Sequence, residues 1–291
     1  MPLGAHLSTS KGLPATLKRA RELECDTLQI FSKSPKIWNA KPLDPNTARE
    51  FRDEWAASGF MPLVAHDSYL INLASGEDEM RARSIAAMID EVERAEMLGC
   101  DWLVTHCGAH LGRVDKSPHR PAITPDEAAG LERLARSLEQ VLEATPEARV
   151  QIALENTAAQ GTCLGGPFEH LKYLREALPP ARIGFCFDTC HALAAGHDLT
   201  SQAEVNRTIA RFDEIVGWDR VGVIHLNDAQ GERGSRLDRH QHIGQGTIGQ
   251  AGMRAILKHH KTRHKPTILE TPDIDTMIET DLRAVRQLRG S

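Results

Sequence analysis

The 291-residue chain contains no stretch of about 18 uninterrupted apolar residues, so no part of it reads as a membrane-spanning helix. Aromatic residues make up only 4%, which excludes ligand recognition by extensive ring stacking. Bulk positive charge is missing too: the formal net charge is -5, so overall charge gives no reason to expect a polyanionic partner. No Gly-rich dinucleotide or P-loop fingerprint opens any of the helical stretches, which weakens an open doubly wound sheet. The opening MPLGAHLSTSKGLP lacks the charged-then-apolar layout of a secretory leader. The six cysteines (Cys25, Cys100, Cys107, Cys163, Cys186, Cys190) show no paired extracellular framework. Buried free thiols and a cytoplasmic address are therefore expected. There is no domain linker, low-complexity tract or internal repeat beyond the β/α unit itself, and residues 1–291 are expected to form one domain.

What the chain does have is 41% hydrophobic residues arranged as eight strand-like runs. They fall at 3–7, 27–31, 61–66, 101–106, 149–155, 182–188, 221–226 and 266–270. Amphipathic stretches such as 14–24, 77–99 and 124–144 separate them, the last opened by Thr124 with Asp126 and Glu127 as a helix start. Eight β-then-α units predict an α/β fold, a single (β/α)8 TIM barrel whose active site lies at the C-terminal rim of the strands.

Six runs end on a His, Asp or Glu: His66, His106, Glu155, Asp188, His225 and Glu270. In a barrel these side chains gather at one rim, where three imidazoles and three carboxylates suit divalent metal ions. DTCH adds His191 to Asp188, and DRH adds Asp238 and His240, two apart in an extended loop. Nine donors are too many for one zinc ion, which takes about four, and suit two or three ions sharing a carboxylate. Such a cluster can clamp the attacking and leaving oxygens of a phosphoryl displacement. Cys186 and Cys190 bracket Asp188, but no second cysteine pair at finger spacing follows, so finger-type ligation is not expected. The rim loops 107–124 and 227–249 are long, polar and rich in Arg and Lys, as substrate-holding loops are.

The segments HDSYLINLAS (66–75), LENTAAQG (154–161), FDTCHALAAGHDL (187–199), HLNDAQGERGSRLDRHQHIGQGTIG (225–249) and ILET (268–271) closely resemble the endonuclease IV family of apurinic/apyrimidinic endonucleases. The likeness runs from GAHLS near the start to the last helix. It implies a trinuclear zinc enzyme of DNA repair that cuts the backbone 5′ to an abasic site, leaving a 3′-hydroxyl and a 5′-deoxyribose phosphate. Cleaning of blocked 3′ ends is implied as a companion activity, and Mn2+ could stand at one or more positions. Carried over by position, His66 and His106 bind one ion and Asp188, His225 and Glu270 a second, with Glu155 bridging them. His191, Asp238 and His240 bind the third. Glu155, Glu270 and Asp238 are the carboxylates placed nearest the chemistry, in which a hydroxide between the first two ions attacks phosphorus in line.

The same resemblance assigns damage recognition to loops. Tyr69 and Leu70 match side chains that wedge into the base stack. Lys36 stands where some relatives carry an inserted Arg, and its compact ammonium cannot stack as a guanidinium does. Arg113, Lys116 and Arg120 in the fourth loop and Arg233, Arg236 and Arg239 in the seventh are the expected phosphate contacts, with Gly244 and Gly246 opening main-chain N–H groups to DNA. Cys107 departs from the Pro common at that place, and His6 is expected beside the site. HHKTRHK (259–265) leads into the eighth strand from the opposite rim and reads as solvated surface. Three Zn2+ ions would carry the formal charge from -5 to about +1. The expected partner is duplex DNA holding abasic sites or blocked 3′ ends, the expected state a monomer acting at the nucleoid. A sugar isomerase or epimerase on the same barrel is the nearest rival, though it has no need of the Asp238–His240 pair. A damage-binding protein without catalysis would have no need of a complete donor set.

Overall fold

The computed structural model describes residues 1–115 and 121–290. Lys116 and Arg120, two of the expected phosphate contacts, lie outside the described residues. Eight strands close into a parallel barrel: β1 (Leu3–His6), β2 (Thr27–Phe31), β3 (Leu63–His66), β4 (Trp102–His106), β5 (Gln151–Glu155), β6 (Ile183–Asp188), β7 (Val221–His225) and β10 (Thr267–Leu269). Each lies next to its sequence neighbour, and β10 closes the ring against β1, with Leu3 beside Thr267 and Ala5 beside Leu269. The helices α1 (Leu13–Glu22), α2 (Pro45–Ser58), α3 (Asp78–Leu98), α4 (Pro125–Ala144), α5 (Phe168–Ala177), α7 (Gln202–Ile215), α8 (Gly249–Lys258) and α9 (Ile274–Gly290) follow the strands in turn. The expected TIM barrel is the observed fold.

Strand alternation sorts the side chains. Leu28, Ile30, Leu63, Leu103, Ile152 and Leu154 turn outward and join the large core under the helices. Val64, Val104, Ala153, Cys186, Val223 and Ile268 turn inward as a separate buried cluster, with Trp102 packed against it. Trp102 fits because its neighbours are glycines: a Cβ on Gly222 would come within 2.3 Å of the indole and one on Gly184 within 2.7 Å. One step further toward the C-terminal end, the same inward phase carries His66, His106, Glu155, Asp188 and His225. The apolar layer is therefore the floor of the site.

Two features go beyond the plain β/α alternation. A short helix, α6 (Thr189–Ala195), starts directly at the end of β6 with Asp188 as its N-cap, the Asp188 carboxylate accepting from the His191 amide at 2.7 Å. The seventh loop is not simply extended. Its ends pair as a two-stranded antiparallel ribbon, β8 (Asp228–Ala229) with β9 (His240–Gln241), which returns His240 to the rim. The segment 259–265 joins α8 to β10 and so lies at the N-terminal rim, away from the donors.

Candidate metal centre

All nine expected donors meet at the C-terminal mouth, in and below a cavity of about 800 Å³ lined by His6, Phe31, Tyr69, His106, His191, Asp238, His240 and Glu270 among others. Glu155 sits at the centre and is fully buried. Its Oε2 faces His66 Nε2 at 3.5 Å and His106 Nε2 at 3.3 Å, while its Oε1 faces His225 Nδ1 at 3.0 Å and His191 Nδ1 at 3.2 Å. Glu270 Oε2 lies 3.1 Å from His225 Nδ1. On the far side, Asp238 Oδ1 stands 3.2 Å from His191 Nε2 and 3.9 Å from His240 Nε2. Among the described residues, donor atoms close to within 4.8 Å of one another in three groups built of His and carboxylates alone: His66, His106 and Glu155; Glu155, Asp188, His225 and Glu270; and His191, Asp238 and His240. Glu155 belongs to two of these, and two further groups bring in a thiol, Cys186 beside Glu155 and His225, and Cys190 beside Asp188 and His240.

Whether a cation suits these groups can be tested from the hydrogen bonds. Nδ1 of His66 lies 3.0 Å from the Asp67 carbonyl, Nδ1 of His191 2.9 Å from the Asn156 carbonyl, and Nδ1 of His240 2.8 Å from the Glu270 carbonyl. Carbonyl oxygens only accept, so each of these nitrogens carries the proton. The opposite nitrogen of a neutral ring then points a lone pair at a carboxylate. That arrangement is repulsive unless a proton or a metal ion lies between. Glu155 Oε2 and His240 Nε2 are buried without a hydrogen-bond partner among the described residues, as atoms awaiting such an ion would be. Imidazole and carboxylate donors with fixed outer hydrogen bonds suit zinc or another divalent first-row ion.

With protons as the only counter-charge, burial works against the His66 imidazolium, yet the carboxylates of Asp67 and Glu155 beside it push it up to about 10. His191 and His225 also rise well above the ordinary imidazole range despite burial, His191 through Asp188, Asp238 and Glu155, and His225 through the carboxylates of Glu270 and Glu155. Burial opposes ionisation of the carboxylates as well, but His225 and its neighbours hold Glu155 and Glu270 well below 4.5, and His191 brings Asp238 down to about 2. The field at this mouth demands positive charge.

Several supporting residues escape a reading of motifs alone. Asn227 donates to Asp188 Oδ2 at 2.7 Å and accepts from the Glu270 amide at 2.8 Å, tying β6 to the end of β10. Asn156 accepts from the Asp188 amide and donates to its carbonyl. Gln29, wholly buried in β2, reaches both His225 and Glu270. Its signal in the sequence is slight: one amide side chain in the apolar run TLQIF. His6 lies beside the site as expected, with Nδ1 2.9 Å from Glu270 Oε1.

The expected DNA-contacting residues occupy the same rim. Tyr69 is 63% exposed and packs its ring edge against Phe31, Leu70 is half-buried, and Lys36 is exposed. Arg113, Arg236 and Arg239 are exposed, whereas Arg233 is paired with Asp198 at 3.0 Å. One expectation fails: the Gly246 amide donates to Asp228 Oδ2 at 3.0 Å, so it is spent inside the loop. A Cβ there would meet Ala229 O at 2.3 Å, so the glycine is needed for close packing of the loop. Cys107, Cys186 and Cys190 are buried, and burial pushes all three thiols up, Cys186 to about 12. A protonated thiol is a weak ligand until a metal ion displaces its proton.

Residues 17–288 match a family model described as the xylose isomerase-like TIM barrel. The chain is 44% identical to "Probable endonuclease 4" of Chloroflexus aurantiacus over 277 residues, 95% of this chain and 93% of that protein. It superposes on the crystal structure of endonuclease IV from Thermus thermophilus with a TM-score of 0.85 at 33% identity, covering 99% of this chain and 98% of the other. A D-tagatose 3-epimerase-like protein gives a TM-score of 0.68 at 18% identity, covering 99% of both chains, a likeness of fold alone.

Proposed function

This chain belongs to the endonuclease IV family of xylose isomerase-like TIM barrels, and from that membership and the donor geometry we propose that it incises DNA 5′ to abasic sites. The products are a 3′-hydroxyl and a 5′-deoxyribose phosphate, and the same site removes blocking groups from 3′ ends. The observation that carries this reading is the set of three groups built of His and carboxylates alone, two of them sharing Glu155. His66, His106 and Glu155 would hold one Zn2+; Glu155, Asp188, His225 and Glu270 a second; and His191, Asp238 and His240 a third, with Mn2+ an alternative occupant. Ions bound there supply Lewis acidity and lower the pKa of water toward neutrality.

The protein's own part is to prepare and exclude. Main-chain carbonyls lock the rings of His66, His191 and His240, so each donor nitrogen is aimed before substrate arrives. The apolar floor beneath Glu155 keeps water out from below. The β8–β9 ribbon brings Asp238 and His240 over the opening, on the side where a leaving 3′-oxygen needs charge neutralised. Tyr69 and Leu70 stand ready to enter the gap at a lesion, where an unpaired, poorly stacked nucleotide is cheapest to displace. Arg113, Arg236, Arg239 and Lys36 contact phosphates along the bent duplex. All nine donors come from one chain, so a monomer suffices, acting in the cytoplasm at the nucleoid.

Cleavage of a duplex carrying one abasic analogue, with metal content determined alongside, tests the reading. Wild-type protein cuts 5′ to the lesion. Asp238→Ala loses the cut together with bound zinc. Fully metal-loaded wild-type protein that leaves the duplex intact would overturn the assignment, and sugar substrates would be tried next.

A further inference from the structure

Of the four donor imidazoles with a hydrogen bond on the far nitrogen, three are fixed by main-chain carbonyls and one by a side chain. That one is His225, whose Nε2 lies 2.8 Å from Gln29 Oε1. The Gln29 amide cannot be turned round. Its Nε2 donates to Glu270 Oε1 at 2.7 Å and lies 2.9 Å from His6 Nδ1. Reversal would set a carboxamide oxygen against a carboxylate oxygen, two acceptors in a fully buried place.

Two consequences follow from this one side chain. Gln29 Oε1 only accepts, so in the neutral ring that a metal ion requires, His225 Nε2 carries the proton and Nδ1 keeps its lone pair. That lone pair faces Glu155 Oε1 at 3.0 Å and Glu270 Oε2 at 3.1 Å. At the same time Glu270 Oε1 is occupied by Gln29 and His6, which leaves Oε2 as the oxygen free to face His225. Both donors are set by a residue in a strand 196 positions from one and 241 from the other.

We propose that Gln29 is a positioning residue which selects the His225 tautomer and the free oxygen of Glu270, and so sets the affinity of one ion of the cluster. The inference rests on the metal reading given above. Outer hydrogen bonds of this kind are worth roughly 10–100-fold in metal affinity. Gln29→Met keeps the length and removes both polar contacts. Gln29→Glu keeps an acceptor for His225 and loses the donor to Glu270.

The test titrates Zn2+ into metal-free protein against a chromophoric chelator and reads the His225 ring nitrogens by long-range 15N–1H correlation in the loaded protein. The expected result for Gln29→Met is roughly a 10–100-fold loss at one zinc equivalent, the others unchanged, with a mixture of His225 tautomers. Gln29→Glu retains the Nε2-protonated tautomer, which a merely space-filling role for Gln29 would not predict of one variant and deny to the other. Gln29→Met that keeps native affinity for every equivalent and a single Nε2-protonated His225 overturns the proposal while leaving the metal reading intact. Wild-type protein that takes up no zinc overturns both. If Gln29→Met fails to fold, the Gln29→Glu tautomer decides alone: loss of the Nε2 proton in that variant refutes the role.

Discussion

His66 shows why protons and metal must compete for this centre. Without a cation its imidazolium titrates near 10, and His191 and His225 are raised as well. At neutral pH these rings are therefore protonated in metal-free protein, while a metal needs them neutral. Zinc uptake should release more than one proton per protein at pH 7, and apparent affinity should climb as pH rises from 6 to 9. Calorimetric titrations in buffers of different ionisation enthalpy measure the release directly. Buffer-independent heats at pH 7 would mean that the rings are already neutral. That these nine side chains would meet was readable in advance because all but three end a strand run, and strand ends in a barrel share one rim. Gln29, Asn156 and Asn227 were not. Their partners lie 241, 32 and 39–43 residues away, and a lone amide carries no sign of which carboxylate it will meet.

At the scale of elements, the loop after β2 is held to α3 by buried charge. Lys33 Nζ lies 2.6 Å from Asp90 Oδ2 and 3.5 Å from Glu91 Oε1, and the Lys33 and Glu91 side chains are 2% and 1% exposed. Arg94 adds a bond from Nη2 to the Lys41 carbonyl, and Ser68 Oγ donates to the Pro35 carbonyl. Exposed Lys36 thus rides on a loop fixed from beneath and tied to the segment bearing Tyr69. Burial pushes Glu91 up to about 7. A carboxylate raised in the folded state contributes stability below its unfolded pKa of about 4.5 that is lost as pH climbs through 7. Lys33→Met strands Glu91, so the variant should lose about 3 kcal/mol at pH 8.5 and clearly less at pH 5, where Glu91 is already neutral. Urea unfolding at the two pH values checks this, and equal losses would refute the pairing.

The start of α4 makes a smaller claim. Thr124 Oγ1 accepts from the Glu127 amide while the Glu127 carboxylate accepts from the Thr124 amide, a reciprocal box that TPDE announces in the sequence. Thr124→Ala should cost about 1 kcal/mol in the same unfolding assay without altering cleavage. The ribbon β8–β9 and helix α6 had no such announcement. Two-residue strands carry no periodicity, and α6 spans only seven residues. The Asp228 carboxylate, accepting from Gly246, Ile248 and Gly249, holds that loop from a position that reads in sequence as one more polar loop residue.

Across the whole molecule the bound ions would join β3 through β7, the ribbon and the end of β10 around one mouth. The alternation of eight strands and helices was legible because the repeating pattern leaves one compact solution. The electrostatic state was not, since a formal charge of -5 omits ions the sequence does not contain. Chelation at pH 7 should lower the melting temperature by several degrees, because ligand that binds only the folded state stabilises it by mass action. It should also weaken binding to a non-cleavable abasic duplex, because the three divalent ions proposed above would change the formal charge by about six units at the proposed DNA-binding face. Both forms keep the loop arginines, so both should lose affinity as salt is raised, with the loaded protein binding more tightly throughout. Fluorescence anisotropy across a salt series, with and without chelator, separates the contributions. Equal affinity of the two forms at low salt would show that the loops alone carry DNA binding and that the metal mouth serves only the chemistry.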